Sequence, residues 1–429
     1  MQLKKGLPKI SGALAVATGT LLHGVGQVLA ADSVDNKASI SHLEYLEADR
    51  VAVKKTQLLY EKDFDADNQL SLSFVYDTMT GVSPNGRRVD FSKLDSGEIP
   101  VTTASGFSFQ VTGDTTADPR TWVTAFSDRR YAGSGDWTRK FNSNLTGSFS
   151  ASFSDENDYR SYGGALKFVN EFNSKLSALT FGVGRNNDQI RPVSKIQEAK
   201  SVLWCEDSHN YQPIWIDCVP SSVRYEVGNK TSVDAMIGYS QIWNKRTIWQ
   251  LNYGYTNLSG YLTDPYKLVS VFDPVFGESA FIYEKRPEQR NMHRLFFKLV
   301  KVIRENVARI SYRFFWDDWG IRAHTVDLKY RYEMKKSFYL RPRFRYSYQN
   351  SAYFFQNYID SNSLEPEFVS ADHRVGEQIT ITAGLKVGFD LSDVHRISIK
   401  SDYVRQMYPQ KNLPAMNTLV FQFIYATKF

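Results

Sequence analysis

The stretch Leu419-Val420-Phe421-Gln422-Phe423-Ile424-Tyr425-Ala426-Thr427-Lys428-Phe429 decides the fold. In a strand, alternate side chains leave opposite faces, so Leu419, Phe421, Phe423, Tyr425, Thr427 and Phe429 share one face. All of these except Thr427 are apolar or aromatic. Such a continuous apolar face on a long strand suits contact with lipid.

The same period of two recurs upstream. Leu70, Leu72, Phe74 and Tyr76 alternate with Ser71, Ser73 and Asp77 on the other face. Trp249, Leu251, Tyr253 and Tyr255 alternate with Gln250, Asn252, Gly254 and Thr256, and Ala308, Ile310, Tyr312 and Phe314 with Arg309, Ser311 and Arg313. Phe338, Leu340, Pro342, Phe344 and Tyr346 interleave with Arg341, Arg343 and Arg345, and Ile379, Ile381, Ala383, Leu385 and Val387 with Thr380, Thr382 and Lys386. These runs approach a dozen residues, longer than the usual ~5–6 of a soluble sandwich and suited to a tilted membrane strand. Past the first thirty residues no segment is apolar for the ~20 residues a membrane helix needs. A membrane protein of this composition is therefore a closed barrel. Its 25 Tyr and 28 Phe fit interfacial girdles.

Connections alternate between short and long. Short turns are read at Asn173–Lys175, Asn244–Arg246, Arg304–Asn306, Met334–Lys336 and Asp390–Val394, and long loops at Thr80–Asp118, Asn187–Asn229, Leu258–Arg290 and Asn350–Arg374. This asymmetry separates periplasmic turns from extracellular loops. A first census of fifteen strands fails on parity. A tight turn near Glu47–Arg50 divides Ser39–Lys62, restores parity and gives about sixteen strands, two either way (14–18). The reading is all-β: a transmembrane antiparallel up-and-down β-barrel, whose size permits an aqueous channel.

Residues 1–30 read as a cleavable secretory signal: Lys4, Lys5 and Lys9, an apolar run from Ile10, then small residues up to Ala30. Residues 31–429 are then one outer-membrane barrel domain, reached by secretion across the inner membrane of a Gram-negative cell. Removing the three leader lysines takes the net charge from +6 to +3. That near balance gives no argument for nucleic acid as a partner. The partners expected are outer-membrane lipid, lipopolysaccharide and, during insertion, the barrel-assembly machinery. The aligned Leu419, Phe421, Phe423, Tyr425 and terminal Phe429 resemble the insertion signal that this machinery reads.

Cys205 and Cys218 are the only cysteines, and in a secreted chain an even pair reads most simply as one disulfide. Their spacing excludes a Cys-x-x-Cys redox or zinc pattern, and no haem-attachment motif occurs, so no cofactor is expected.

If the apolar face meets lipid, the other face lines the lumen. Between Arg294 and Lys400 the inward parity collects a basic wall: Arg294, Lys298, Arg309, Arg313, Lys329, Arg331, Arg341, Arg343, Arg345, Lys386 and Lys400, against Asp327, Glu333 and Asp402. Two readings stand, a cationic stripe that draws anions into a pore and a charged lining with partners elsewhere, for which Asp77, Glu171 and Asp234 have the right parity. A rim hydrolase is the weaker alternative. Its best candidates are His293, His324, Asp317 and Asp318, but both histidines fall on the lipid-facing register, beside Trp316 and Trp319, and no triad emerges. Asp155-Glu156-Asn157-Asp158 reads as a solvated loop tip, since it lacks the twelve-residue spacing of a formal calcium loop.

Four strings carry a family resemblance: Tyr45-Leu46-Glu47-Ala48-Asp49-Arg50, Asp77-Thr78-Met79-Thr80-Gly81-Val82-Ser83-Pro84-Asn85-Gly86, Gly260-Tyr261-Leu262-Thr263-Asp264-Pro265-Tyr266-Lys267 and Asp317-Asp318-Trp319-Gly320-Ile321. With them the mature chain resembles the domain-of-unknown-function family numbered thirty-five seventy, outer-membrane barrels of Gram-negative bacteria. The resemblance implies no established reaction. It does imply periplasmic redox proteins as neighbours, hence an alternative function as a conduit holding a redox partner. The reading is a barrel serving as passive pore or as membrane-spanning scaffold of an envelope complex, and not an enzyme.

Overall fold

A computed structural model describes residues 36–429 except 49, 87–95, 103–107, 115–122, 193–194, 202, 208–214, 221–222, 226, 274–276, 336, 363–365 and 411–414. The leader expectation at 1–30 lies outside the described residues. Sixteen antiparallel strands close into one barrel. They are β1 (Lys37–Glu47), β2 (Val51–Asp63), β3 (Asn68–Pro84), β4 (Val123–Lys140), β5 (Leu145–Asp155), β6 (Tyr159–Phe172), β7 (Ser177–Ile190) and β8 (Gly228–Asn244), followed by β9 (Thr247–Gly260), β10 (Gln289–Ile303), β11 (Asn306–Asp317), β12 (Arg322–Lys335), β13 (Phe338–Gln349), β14 (Gln378–Asp390), β15 (His395–Met407) and β16 (Met416–Lys428).

Each barrel strand pairs with its sequence neighbours, and β1 closes the ring on β16 from Lys37↔Lys428 to Glu47↔Thr418. Beyond that seam the ladder continues, because Phe429 and Asn36 exchange both backbone hydrogen bonds, at 2.9 and 3.0 Å. Closure leaves no unpaired edge, the condition that lipid imposes on a spanning sheet. The division between β1 and β2 falls where parity requires it, with Leu46↔Ala52 as the last pair before the turn.

The outward face is the apolar one. Leu72, Phe74, Phe149, Leu166, Phe181, Val183, Phe344 and Phe421 are all exposed on the barrel wall, an arrangement that only lipid stabilises. Histidines and aromatics edge this band. His293 stacks on Trp316 with centroids 5.1 Å apart and accepts or donates to the Tyr253 hydroxyl at 2.8 Å. At the opposite end His395 meets Tyr425 and Thr427, at 2.9 and 3.1 Å, so the one polar position of the final outward register sits in this belt.

Short turns share one end. Asn173, Ser174 and Lys175 run in left-handed backbone, with φ of 53, 54 and 64°, to reverse the chain between β6 and β7. Long connections leave the other end, hereafter the outer end, which by this asymmetry faces the exterior. There β3 runs to Pro84 rather than ending at Thr80, because its ladder with β4 continues through Thr80↔Ser127 to Pro84↔Val123. The long loops also contain strands that the alternation did not reveal. Leu268–Asp273, Gly277–Tyr283 and Tyr358–Asp360 form a small sheet, and Leu203–Asp207 pairs with Trp215–Pro220.

Candidate functional site: the basic inner wall and its loop cap

The register stacks the inward charges of β10 to β15 into layers. Arg309↔Lys329↔Arg343 are direct cross-strand neighbours on β11, β12 and β13. Arg341↔Lys386↔Lys400 form a second row on β13, β14 and β15. Like charges directly opposite one another destabilise a sheet by up to ~1 kcal/mol per pair, so these rows are not explained by strand pairing.

Acidic side chains relieve part of the repulsion. Arg343 is clamped between Asp327, at 2.6 Å, and Asp402, at 2.9 Å. Lys329 shares Asp327 at 3.3 Å, Lys400 shares Asp402 at 2.7 Å, and Arg331 pairs with Glu333. Arg331 also lies 3.7 Å over the Tyr339 ring. Of the three acidic partners considered on the remaining strands, only Asp234 reaches the wall, from β8 past β9 to Arg294 on β10 at 4.0 Å. Asp77 is held by Arg130, with the shortest contact 2.5 Å, and Glu171 by Lys175 at 3.6 Å. Both acids are taken by the nearest cation, and this corrects the expectation that they neutralise the wall.

Among the described residues, Lys298, Arg309, Arg313, Arg341 and Arg345 have no carboxylate within ion-pair distance. Arg309 is the sharpest case, because its Nη1 is buried with no hydrogen-bond acceptor. An unsatisfied buried N–H of a charged group costs more than the ~1–3 kcal/mol of a neutral one. Arg294, Lys329, Arg331, Arg343 and Lys400 have carboxylate partners while Lys298, Arg309, Arg313, Arg341 and Arg345 do not, so this set of cations is half-neutralised rather than mostly bare.

Above the wall, the recognised strings converge into a cap with its own core. Val269, Ile282, Ile359, Val369 and Ala371 form one buried cluster. Trp319, Ile321, Ala352, Phe354 and Val375 form another, against which Phe315 and Leu262 pack. Phe315 has the inward parity of Arg313 on β11, so the second cluster is anchored on the lumen side of the rim. Trp319 was expected at the lipid interface beside Trp316. It is instead buried in this cluster, its indole N–H donating to the Gln289 carbonyl at 3.0 Å, because Tyr353 and Phe354 fold over it.

Buried charges lock the cap. Arg286 binds Glu284 at 2.6 Å and Asp372 at 2.8 Å, and both carboxylates are fully out of solvent. Arg374 joins Asp372 at 2.6 Å and reaches Asp264. Burial opposes charge on Asp372, yet Arg374, Lys267 and Arg286 together hold its carboxyl well below the usual carboxylate range. His373 is pushed down to about 3, first by burial and against the pull of Asp372, so it stays neutral beside Tyr408, which it meets edge-on at 5.1 Å. Lys267 donates to the Pro84 carbonyl and to Ser83 Oγ at 3.3 Å, tying two strings together. Gly86 is required at that junction: its φ is +103°, and a Cβ would stand 2.2 Å from the Leu268 carbonyl oxygen.

The hydrolase candidates do not assemble. Asp317 is spent on Arg290 at 2.8 Å, and Asp318 accepts from the Asn291 backbone and side chain at 3.0 and 2.8 Å. His324 sits outside with Tyr312 at 2.7 Å and Phe314. In the acidic turn, Asp155 is drawn away by Arg160 at 2.7 Å and Arg191 at 3.3 Å. Asp128, Glu156 and Asp158 instead bring carboxylate oxygens within 4.8 Å of one another. Burial, then the charge of Asp128, pushes Glu156 up to about 7, so this group relieves its repulsion by holding a proton. The sequence reading missed Asp128, which is distant in the chain and arrives through the β4 ladder.

The backbone register of the loop hairpin sets Cys205 directly opposite Cys218, the placement a cross-strand disulfide needs.

A closed sixteen-stranded antiparallel ring with an apolar exterior and a charged interior defines an outer-membrane-type β-barrel. The chain belongs to the family described as "Protein of unknown function (DUF3570)", whose model matches residues 11–425. No curated protein matches the sequence. Among solved structures the chain is similar to a bacterial polysaccharide outer membrane secretin, at 9% identity and a TM-score of 0.45, covering 93% of this chain and 100% of that one. It is also similar to the OccK2 (OpdF) protein of Pseudomonas aeruginosa in complex with glucuronate, at 8% identity and a TM-score of 0.40, covering 92% and 98%. A ferric enterobactin receptor mutant of the same organism matches at 9% identity and 0.43, and the chain spans about half of that receptor's length, covering 87% of this chain and 54% of that one.

Proposed function

We propose that this barrel resides in the outer membrane as a passive pore preferring anions, with its mouth narrowed by the loop cap. The observation that carries the reading is the set of cations on β10, β11 and β13 that face the lumen without a carboxylate. Charged rings in a pore select by sign, and conduction needs sites that attract an ion without trapping it. A cationic lining in a low-dielectric wall raises the local concentration of anions.

His293, His324 and His395 stand in the aromatic belt and not on the charged wall, and the wall presents cations among the described residues, an arrangement suited to transport. Purified protein in a planar bilayer tests the reading. Discrete conductance steps support a pore. The anchorage of the cap on Phe315 favours a second reading, a membrane-spanning scaffold with a closed mouth. Folded protein that inserts and stays silent, then conducts once the 350–377 loop is shortened, supports that alternative.

A further inference from the structure

The apolar exterior is not uniform. Tyr425↔Ile40↔Leu58↔Phe74↔Gly133 form one outward row that crosses the closing seam, from β16 through β1, β2 and β3 to β4. The next row toward the short-turn end is Thr427↔Ala38↔Tyr60↔Leu72. Small groups at Thr427, Ala38 and Gly133 stand among large ones, and the two rows line an outward-facing groove of about 480 Å³. Close packing does not demand the glycine. A Cβ at Gly133 would meet nothing closer, among the described residues, than the Ser73 carbonyl oxygen at 3.9 Å.

The row below the groove carries a cation. Lys62 stands one outward position beyond Tyr60, in the row Lys62↔Leu70↔Trp137, and its ammonium lies 5.0 Å over the Phe64 ring. Phe64 in turn meets Trp137 at 5.5 Å, and Arg139, one outward position farther along β4, lies 5.9 Å over Phe141. These three aromatic rings are exposed, as those of an interfacial girdle are. Among the described residues neither Lys62 nor Arg139 has a carboxylate within ion-pair distance. Asp65, in the turn between β2 and β3, accepts instead from the backbone N–H groups of Asp67 and Asn68, at 2.8 and 2.7 Å.

Lipid tails are as apolar as the groove, so burial alone gives a bound chain no advantage over the bulk bilayer. Retention needs a headgroup contact, and cations at the interface supply one for a phosphate. From Leu58 to Lys62 is four residues, about 13 Å of strand, within the ~15 Å of hydrocarbon that belongs to one leaflet. One lipid can therefore lay a chain in the groove while its phosphate reaches the cations. We infer that the groove is a retained-lipid site for an anionic glycerophospholipid of the leaflet at the short-turn end, its acyl chain over Ala38 and Gly133 and its headgroup between Lys62 and Arg139. The site is independent of the pore reading.

Native mass spectrometry of the detergent-purified barrel, titrated with phosphatidylglycerol or with zwitterionic phosphatidylethanolamine, tests this. Lys62→Gln combined with Arg139→Gln removes the headgroup contact, and Gly133→Leu fills the groove. Lys301→Gln, an exposed outward cation at the same end of β10, controls for lost charge. Heat-modifiable gel mobility confirms that each variant is folded. The expected result is one retained phosphatidylglycerol, bound on the order of 10-fold more tightly than phosphatidylethanolamine. The double variant should lose that preference, Gly133→Leu should lose retention of either lipid, and Lys301→Gln should keep both. Equal binding of the two lipids, a preference that survives the double variant, or retention that survives Gly133→Leu would overturn the inference. So would a barrel that is oligomeric without lipid and monomeric as Gly133→Leu, since a second copy would then fill the groove.

Discussion

Arg286 and Asp372 meet at 2.8 Å with the carboxylate wholly removed from solvent, although they come from loops on either side of β10 to β13. The pair joins the loop after β9 to the loop after β13, and Glu284 and Arg374 extend it on both sides. Removing one partner of a buried pair leaves the other charge uncompensated, at a cost of about 3–5 kcal/mol. Asp372→Asn is therefore expected to open the cap while the barrel stays folded. Hydrogen exchange should rise across residues 261–288 and 350–377 and remain unchanged in β1 to β8. Unchanged exchange in both loops would show that the network does not hold the cap.

The Glu156 carboxyl carries a pH signature of its own. Its folded value, about 7, lies above the 4.5 of the free group, so between those pH values the folded protein holds the extra proton. Stability contributed by this group is full below 4.5 and falls as pH rises through the window to 7. Glu156→Gln removes that penalty. The variant should be more stable than the parent by on the order of 1–2 kcal/mol at pH 8.5 and equal to it at pH 4.5. Urea unfolding followed by gel mobility at the two pH values checks this. A variant less stable at pH 8.5 would mean that the three carboxylates are held charged by a bound cation.

The facing positions of Cys205 and Cys218 call for a covalent cross-strand bond. Peptide mapping without reductant should recover one linked pair, and reduction should free it. Recovery of two thiols from protein kept under oxidising conditions would contradict the pairing.

Much of this architecture could be read from the chain. The alternation of Leu419 through Phe429 reappears as the outward register of β16, and the parity argument at Glu47–Arg50 is met by the Leu46↔Ala52 turn. The basic wall was legible for the same reason, since period two assigns a face without any knowledge of partners. What a neighbour two strands away does with a charge was not legible. Asp77 and Glu171 have inward parity like Asp234, yet Arg130 and Lys175 lie closer to them than the basic wall. Trp319 carries the interfacial signature of Trp316, but its fate depends on a loop thirty residues on, at Tyr353 and Phe354, whose return over the rim has no periodic signal.

The central claim is that the uncompensated cations of β10, β11 and β13 set the sign of what passes. Reversal potential across a salt gradient in planar bilayers measures that sign directly. The account predicts anion selectivity, weakened stepwise as Arg309, Arg313, Arg341 and Arg345 are changed to Gln. Cation selectivity of the unmodified barrel would contradict it.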